Sequence, residues 1–206
     1  MSGPRLAPLP PGQWDDRARD MLRGKVSMAE KYLSGEPGAP PMPNILGVLG
    51  HHPELASAWL SYNGALLERS TLDARYRELV ILRVALRTGS EYEWIQHVRI
   101  GAAAGLTAEQ IERVRLDPAA SPAPPAERLL VAAADELVDG HTLTDATWAA
   151  LTQHFGTREL LELLFVAGSY LCLALVFNTV GLQIDPGTGL PEHLEHLRLS
   201  AMEVRP

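Results

Sequence analysis

The strongest constraint on this chain is a run of helix-period hydrophobic spacing that begins near Asn44 and continues, interrupted only by turn residues, to about Gly181. His51 to Arg69 carries Leu55, Trp59, Tyr62 and Leu66 at the spacing of one helix face, and Leu72 to Thr88 repeats the pattern with Leu79, Leu82, Ala85 and Leu86. Gly89 stops that helix, and Ser90 followed three residues later by Glu93 has the capping-box pattern that starts another, so a helical hairpin is predicted. The new helix should reach about Ala104, with Gly105 as its C-terminal cap. Thr107 and Gln110 form a second capping-box pattern, opening a short helix to about Leu116. The proline-rich stretch Asp117 to Pro125 is a connector. Helices follow at Ala126 to Val138, Thr144 to His154, and Thr157 to about Gly181. No period-2 strand of useful length appears, so the fold class is all-α, a helical bundle.

A chain of 206 residues that is 46% hydrophobic can bury one sizeable core, which makes one compact unit with tails the expectation. Residues 1–43 read as an N-terminal extension with one helix, Trp14 to Leu33, closed by Pro37, Pro40, Pro41 and Pro43. Residues 44–185 form the helical domain and 186–206 a C-terminal tail. The net charge of -7 argues against a nucleic-acid partner, whose phosphates need a concentrated basic face. Only Lys25 and Lys31 supply amines, both near the N-terminus, so a Schiff-base lysine in a central site is not expected. The single cysteine, Cys172, sits in an apolar run and reads as a small core residue, which excludes an internal disulfide. No signal-peptide core precedes Trp14, and the longest apolar stretch, Leu163 to Phe177, is about two-thirds of a membrane span. A cytoplasmic protein off the membrane is therefore expected, with that stretch as a buried helix.

Titratable groups concentrate in the run from Gly89 to His97. Glu93 and His97 are four apart, so their side chains share a helix face, where a carboxylate orients an imidazole and favours its protonated form. That pairing suits proton transfer near neutral pH. Glu78, one helix earlier, can face the pair across the hairpin. Taken singly, each has a plainer explanation: Glu93 as a cap, His97 as a structural histidine, Glu78 as a solvated helix residue.

The pattern Arg77, Glu78, Leu79, then Gly89, then Tyr92, Glu93, Trp94 and His97, with Ala103, Gly105 and Leu106 after it, resembles the signature of the carboxymuconolactone decarboxylase family. It is also similar to alkylhydroperoxidase D-like proteins, whose site has a glutamate, a Cys-x-x-Cys pair and a histidine. By that resemblance the glutamate falls on Glu78, the cysteines on Ser90 and Glu93, and the histidine on His97. Lacking both thiols, the chain resembles the decarboxylase branch, which uses no cofactor, and thiol peroxidase activity is not expected. The resemblance implies a bundle of this type over residues 44–185 and a homo-oligomer, a trimer or a multiple of one. It implies catalytic roles for His97, Glu93 and Glu78, and substrate contacts at Ser90 and Trp94.

The reaction expected is decarboxylation or proton transfer at carbon on a small or cyclic carboxylated metabolite, whose carboxylate Arg83, Arg87 or Arg99 can hold. A lyase, isomerase or cyclase of secondary metabolism on the same fold, and a non-catalytic helical binding or assembly protein, are the rivals. His193 and His196 have a His-x-x-His spacing but lack further ligands in sequence, so no metal is expected. His51 and His52 read as loop or capping residues before Pro53.

Overall fold

The computed structural model describes residues 3–26, 28–34 and 38–200; Pro37 and the last six residues of the tail lie outside them. Among the described residues the chain is helical with no strand. It divides into two compact units, Met1–Arg69 with Thr179–Thr188, and Ser70–Asn178 with Gly189–Pro206.

The first unit holds α1 (Asp16–Leu22), α2 (Ala29–Ser34), α3 (Asn44–Leu49) and α4 (Pro53–Glu68). Two short helices therefore replace the single one expected between Trp14 and Leu33. The break lies at Gly24, which takes the left-handed φ of +71° that ends a helix cheaply. Trp14, Ala18, Leu22, Ala29, Leu46 and Ala56 form the core. The N-terminal segment crosses α3 at two glycines: a Cβ on Gly47 would lie 2.6 Å from Pro8 Cβ, and one on Gly50 would lie 2.9 Å from the Trp14 ring. Asp185 returns to this unit and accepts from the Asn44 backbone at 2.6 Å. His52 caps α4 by accepting from Leu55 N–H, as its place before Pro53 suggests. Of the α4 face read from sequence, Leu66 is buried but Leu55 and Tyr62 are exposed.

The second unit is built on α5 (Ala74–Thr88) and α6 (Glu91–Ala103), followed by α7 (Ala108–Arg113), α8 (Pro125–Gly140), α9 (Asp145–Leu151) and α10 (Thr157–Val180). Every residue of α5 from Arg77 to Ala85 is buried, so this helix is the unit's axis. Gly89, at φ +63°, ends it with the Ser90 N–H bonded to Ala85 O, the two-bond stop that reverses the chain into α6. Gly105 ends α6 in the same way, and Thr107 with Gln110 makes the reciprocal capping box at the start of α7. Gly101 permits close helix approach: a Cβ there would sit 3.1 Å from Leu106 and 3.5 Å from Glu78 Cβ.

Helix α10 differs from expectation in two ways. At 24 residues it spans about 36 Å, long and apolar enough to cross a membrane by length and composition, although half of its most apolar stretch is buried inside the protein. Cys172 is exposed rather than in the core. It lies on the side of α10 that also exposes Leu161, Phe165, Leu175 and Val176.

Candidate active site

The α5–α6 hairpin brings two of the expected residues into direct contact. Glu78, on α5, is fully buried, and its Oε2 lies 2.6 Å from Nδ1 of His97 on α6. Arg77 Nε stands 3.3 Å from the other carboxyl oxygen, placing positive charge behind the glutamate in a buried setting. With Nδ1 committed to Glu78, the ring's tautomer is set and Nε2 is the nitrogen left to exchange a proton. The expected pairing was Glu93 with His97; the carboxylate that holds the imidazole is Glu78. The two residues are 19 apart in sequence and meet only because the hairpin register puts them level.

Glu93 and Ser90 occupy a different situation. Both are buried, and outside the pair itself neither the Ser90 hydroxyl nor either Glu93 carboxyl oxygen has a hydrogen-bond partner. The capping box expected from their spacing does not form, because both side chains turn inward instead of back to the first turn of α6. Burial pushes the Glu93 carboxyl up from 4.5 to about 8, opposed in part by the nearby Ser90 hydroxyl. Glu93 is thus a neutral acid at pH 7, a role the sequence did not disclose.

Tyr170 of α10 completes the cluster and was not singled out from sequence. Its ring meets that of His97 edge to face, with centroids 4.7 Å apart and planes at 89°. Burial, followed by the charges of Glu78 and Glu93, drives its phenol well above the ordinary value. The available signal was a tyrosine inside the run Val166 to Phe177, since a buried phenol normally needs a polar neighbour.

The remaining expected residues lie elsewhere in function. Trp94 is fully buried, its indole N–H donates to Leu197 O at 2.7 Å, and Arg115 stacks 4.9 Å from its ring centroid. It anchors the returning C-terminal segment, in which Leu194 and Leu197 are buried, and does not wall an open pocket. Arg83 is committed to Asp135 through two hydrogen bonds of 2.6 and 2.7 Å and is not left to bind a substrate carboxylate, whereas Arg87 pairs with Asp139 at 2.6 Å through one terminal nitrogen. Arg99 is exposed and reaches toward Gln96. Among the described residues no cluster of three His, Cys, Asp or Glu is arranged to hold a metal ion, His193 and His196 included.

This arrangement sits on a recognisable fold. A peroxidase-related protein from Ralstonia eutropha, described as an alkylhydroperoxidase AhpD core, superposes with a TM-score of 0.70 at 18% identity, covering 90% of this chain and 95% of that one. A second peroxidase-related protein, from a Silicibacter species, gives 0.71 at 16% identity, covering 91% and 95%. The debrominase Bmp8, solved with 2,3,4-tribromopyrrole, gives 0.68 at 15% identity, covering 88% and 91%. The fold is therefore of the alkylhydroperoxidase D-like, all-α class. The profile of the Carboxymuconolactone decarboxylase family matches residues 53–136, a stretch that contains Glu78, Ser90, Glu93 and His97, so the resemblance read from those residues holds. A search of curated proteins finds no match.

Proposed function

We propose that this protein is a cofactor-free acid–base enzyme that moves a proton to or from carbon in a small carbonyl or carboxylated compound, decarboxylation being one such reaction. The observation that carries this reading is the buried Glu78–His97 contact of 2.6 Å. A carboxylate on Nδ1 fixes the ring and leaves Nε2 as base when the imidazole is neutral and as acid when it is protonated. In a decarboxylation the carbon–carboxyl bond breaks, its electron pair passes into an adjacent carbonyl to give an enolate, and His97 Nε2–H returns the proton to carbon. In an isomerisation the same nitrogen takes a C–H proton first. His97 is the catalytic residue and Glu78 the residue that positions it.

Thiol peroxidase chemistry is the reading to set against this one, because the superposing proteins include peroxidase-related ones. The residues at the cysteine positions, Ser90 and Glu93, cannot supply a thiolate, and Cys172 lies on the exposed side of α10. Screening the purified protein against lactone and keto-acid substrates for carbon dioxide release and for deuterium uptake from solvent tests the proposal. His97→Ala should lose about 100-fold to 10000-fold in rate with a native melting temperature. Hydroperoxide turnover that disappears in Cys172→Ser would support the peroxidase reading instead.

We further propose that copies of the chain assemble through α10. Leu161, Phe165, Gly168, Cys172, Leu175 and Val176 recur at three- and four-residue steps along one exposed stripe of the helix, the spacing of a helix-packing seam. Light scattering should return a multiple of 22.4 kDa, with a trimer as the expected multiple. The monomer mass at micromolar concentration would remove this assembly.

A further inference from the structure

We infer that Ser90 and Glu93 form a hydrogen-bond-donating subsite for the substrate's oxygen, the one that gains negative charge when a proton or carboxyl group leaves the neighbouring carbon. The inference rests on the acid–base reading above and narrows it to substrates that ionise to an enolate. Three buried polar atoms, Ser90 Oγ and both Glu93 oxygens, have no hydrogen-bond partner in the protein beyond one another. Leaving such atoms unsatisfied costs free energy, and an arrangement that bears this cost fits a site completed by a ligand. Other buried polar groups of the same unit are paired, Arg83 with Asp135 and Trp94 with Leu197.

The position suits an oxyanion. Ser90, Glu93 and His97 recur at i, i+3 and i+7, one face of the first two turns of α6, and the helix N-terminus there favours negative charge. An ionised Glu93 would repel a developing oxyanion; a neutral one donates its O–H to it. Its carboxyl is neutral at pH 7 because burial holds its pKa at about 8. Tyr170 on α10 feels the charges of Glu93, Glu78 and Arg77 together, Glu78 in turn pairs with Arg77 and with His97 on α6, and the polar neighbour of the Glu93 carboxyl is the Ser90 hydroxyl at the N-cap. The step balances without oxidant or reductant. The C–H electron pair becomes the C=C bond of the enolate, the proton goes to His97 Nε2, and the charge rests on the oxygen that Glu93 and Ser90 hold. One donor of this kind contributes about 100-fold to 1000-fold in rate.

Phenolates imitate enolates in charge and shape and are not turned over. Binding of 4-nitrophenolate to the full chain, followed by absorbance and corrected for the phenol's own ionisation, should be observable at pH 7 and should weaken as pH rises through about 8. Glu93→Gln keeps a neutral donor and should bind within about tenfold of the parent with that pH dependence gone, whereas Glu93→Leu should bind about 100-fold more weakly. No binding by the parent protein, equal losses in Glu93→Gln and Glu93→Leu, or tighter binding above pH 8 would overturn the subsite. Deuterium uptake measured on the same samples separates the two ideas. Turnover lost in His97→Ala but without phenolate binding removes the subsite and leaves the acid–base enzyme. Phenolate binding that follows the Glu93 series without turnover of any keto acid retains the subsite and removes the enzyme.

Discussion

Two buried polar clusters lie on the α5–α6 hairpin and its neighbours, and they are built on opposite principles. Around Arg83 every nitrogen is engaged: Nε and one terminal nitrogen bind Asp135, and the other terminal nitrogen binds Val114 O at 2.5 Å and Leu116 O at 3.2 Å. That cluster ties α5 to α8 and to the end of α7, and nothing in it is left to act on a ligand. Around Glu93 and Ser90 three buried atoms have no partner beyond one another. His97 stands between these extremes, bound by Glu78 on one nitrogen and uncommitted to it on the other. A saturated buried cluster holds the scaffold together, while one that leaves particular atoms unsatisfied calls for an explanation, and the proposed subsite supplies one.

The comparison can be broken by mutation. Arg83→Ala strands Asp135 and should cost about 3–5 kcal/mol in denaturant unfolding, the cost of breaking a buried pair from one side. A loss below about 1 kcal/mol would mean that the Arg83 cluster is not scaffold. An effect of comparable size is expected in the pH dependence of stability. The folded Glu93 pKa of about 8 exceeds the ordinary 4.5, so across that window the unfolded chain releases a proton that the folded chain keeps. Stability should therefore fall as pH rises from about 4.5 to about 8, and Glu93→Gln should flatten that slope in melting curves. An unchanged slope would place the proton elsewhere. Smallest of all, Ser90→Ala deletes a buried hydroxyl with no hydrogen-bond partner beyond the Glu93 carboxyl and should change stability by less than about 1 kcal/mol. A large loss would show that Ser90 is a working cap.

What was legible in the sequence was local. Gly89 and Gly105 mark stops that depend on one left-handed residue each, and the Thr107–Gln110 box depends on four consecutive positions, so all three could be read from spacing. The same spacing misled at Ser90 and Glu93, because a capping-box pattern is identical whether the side chains turn back to the helix or into the core. Glu78 and His97 could be proposed but not paired, since their contact depends on hairpin register and on the small residue at Gly101. Tyr170 and Cys172 were misjudged for one reason. A helix apolar around most of its circumference carries no phase, so the sequence of α10 does not show which residues face the site and which face outward. The partners of Arg83 and Arg87 lie 52 residues away on α8, beyond any periodicity argument.

The central claim is that Glu78, and not Glu93, is the carboxylate that works through His97. It is tested most directly by comparing Glu78→Gln with Glu93→Gln in solvent-deuterium uptake by the keto acid most rapidly exchanged by the parent protein. Both variants change shape little; Glu78→Gln removes the carboxylate beside the imidazole, whereas Glu93→Gln replaces a carboxyl that is neutral at pH 7 by another neutral group. Glu78→Gln should lose at least about 100-fold, because the imidazole loses the carboxylate that orients it, and Glu93→Gln should lose less than about tenfold, because a neutral donor remains. The reverse order, with Glu93→Gln the more damaged and Glu78→Gln close to the parent rate, would contradict the claim.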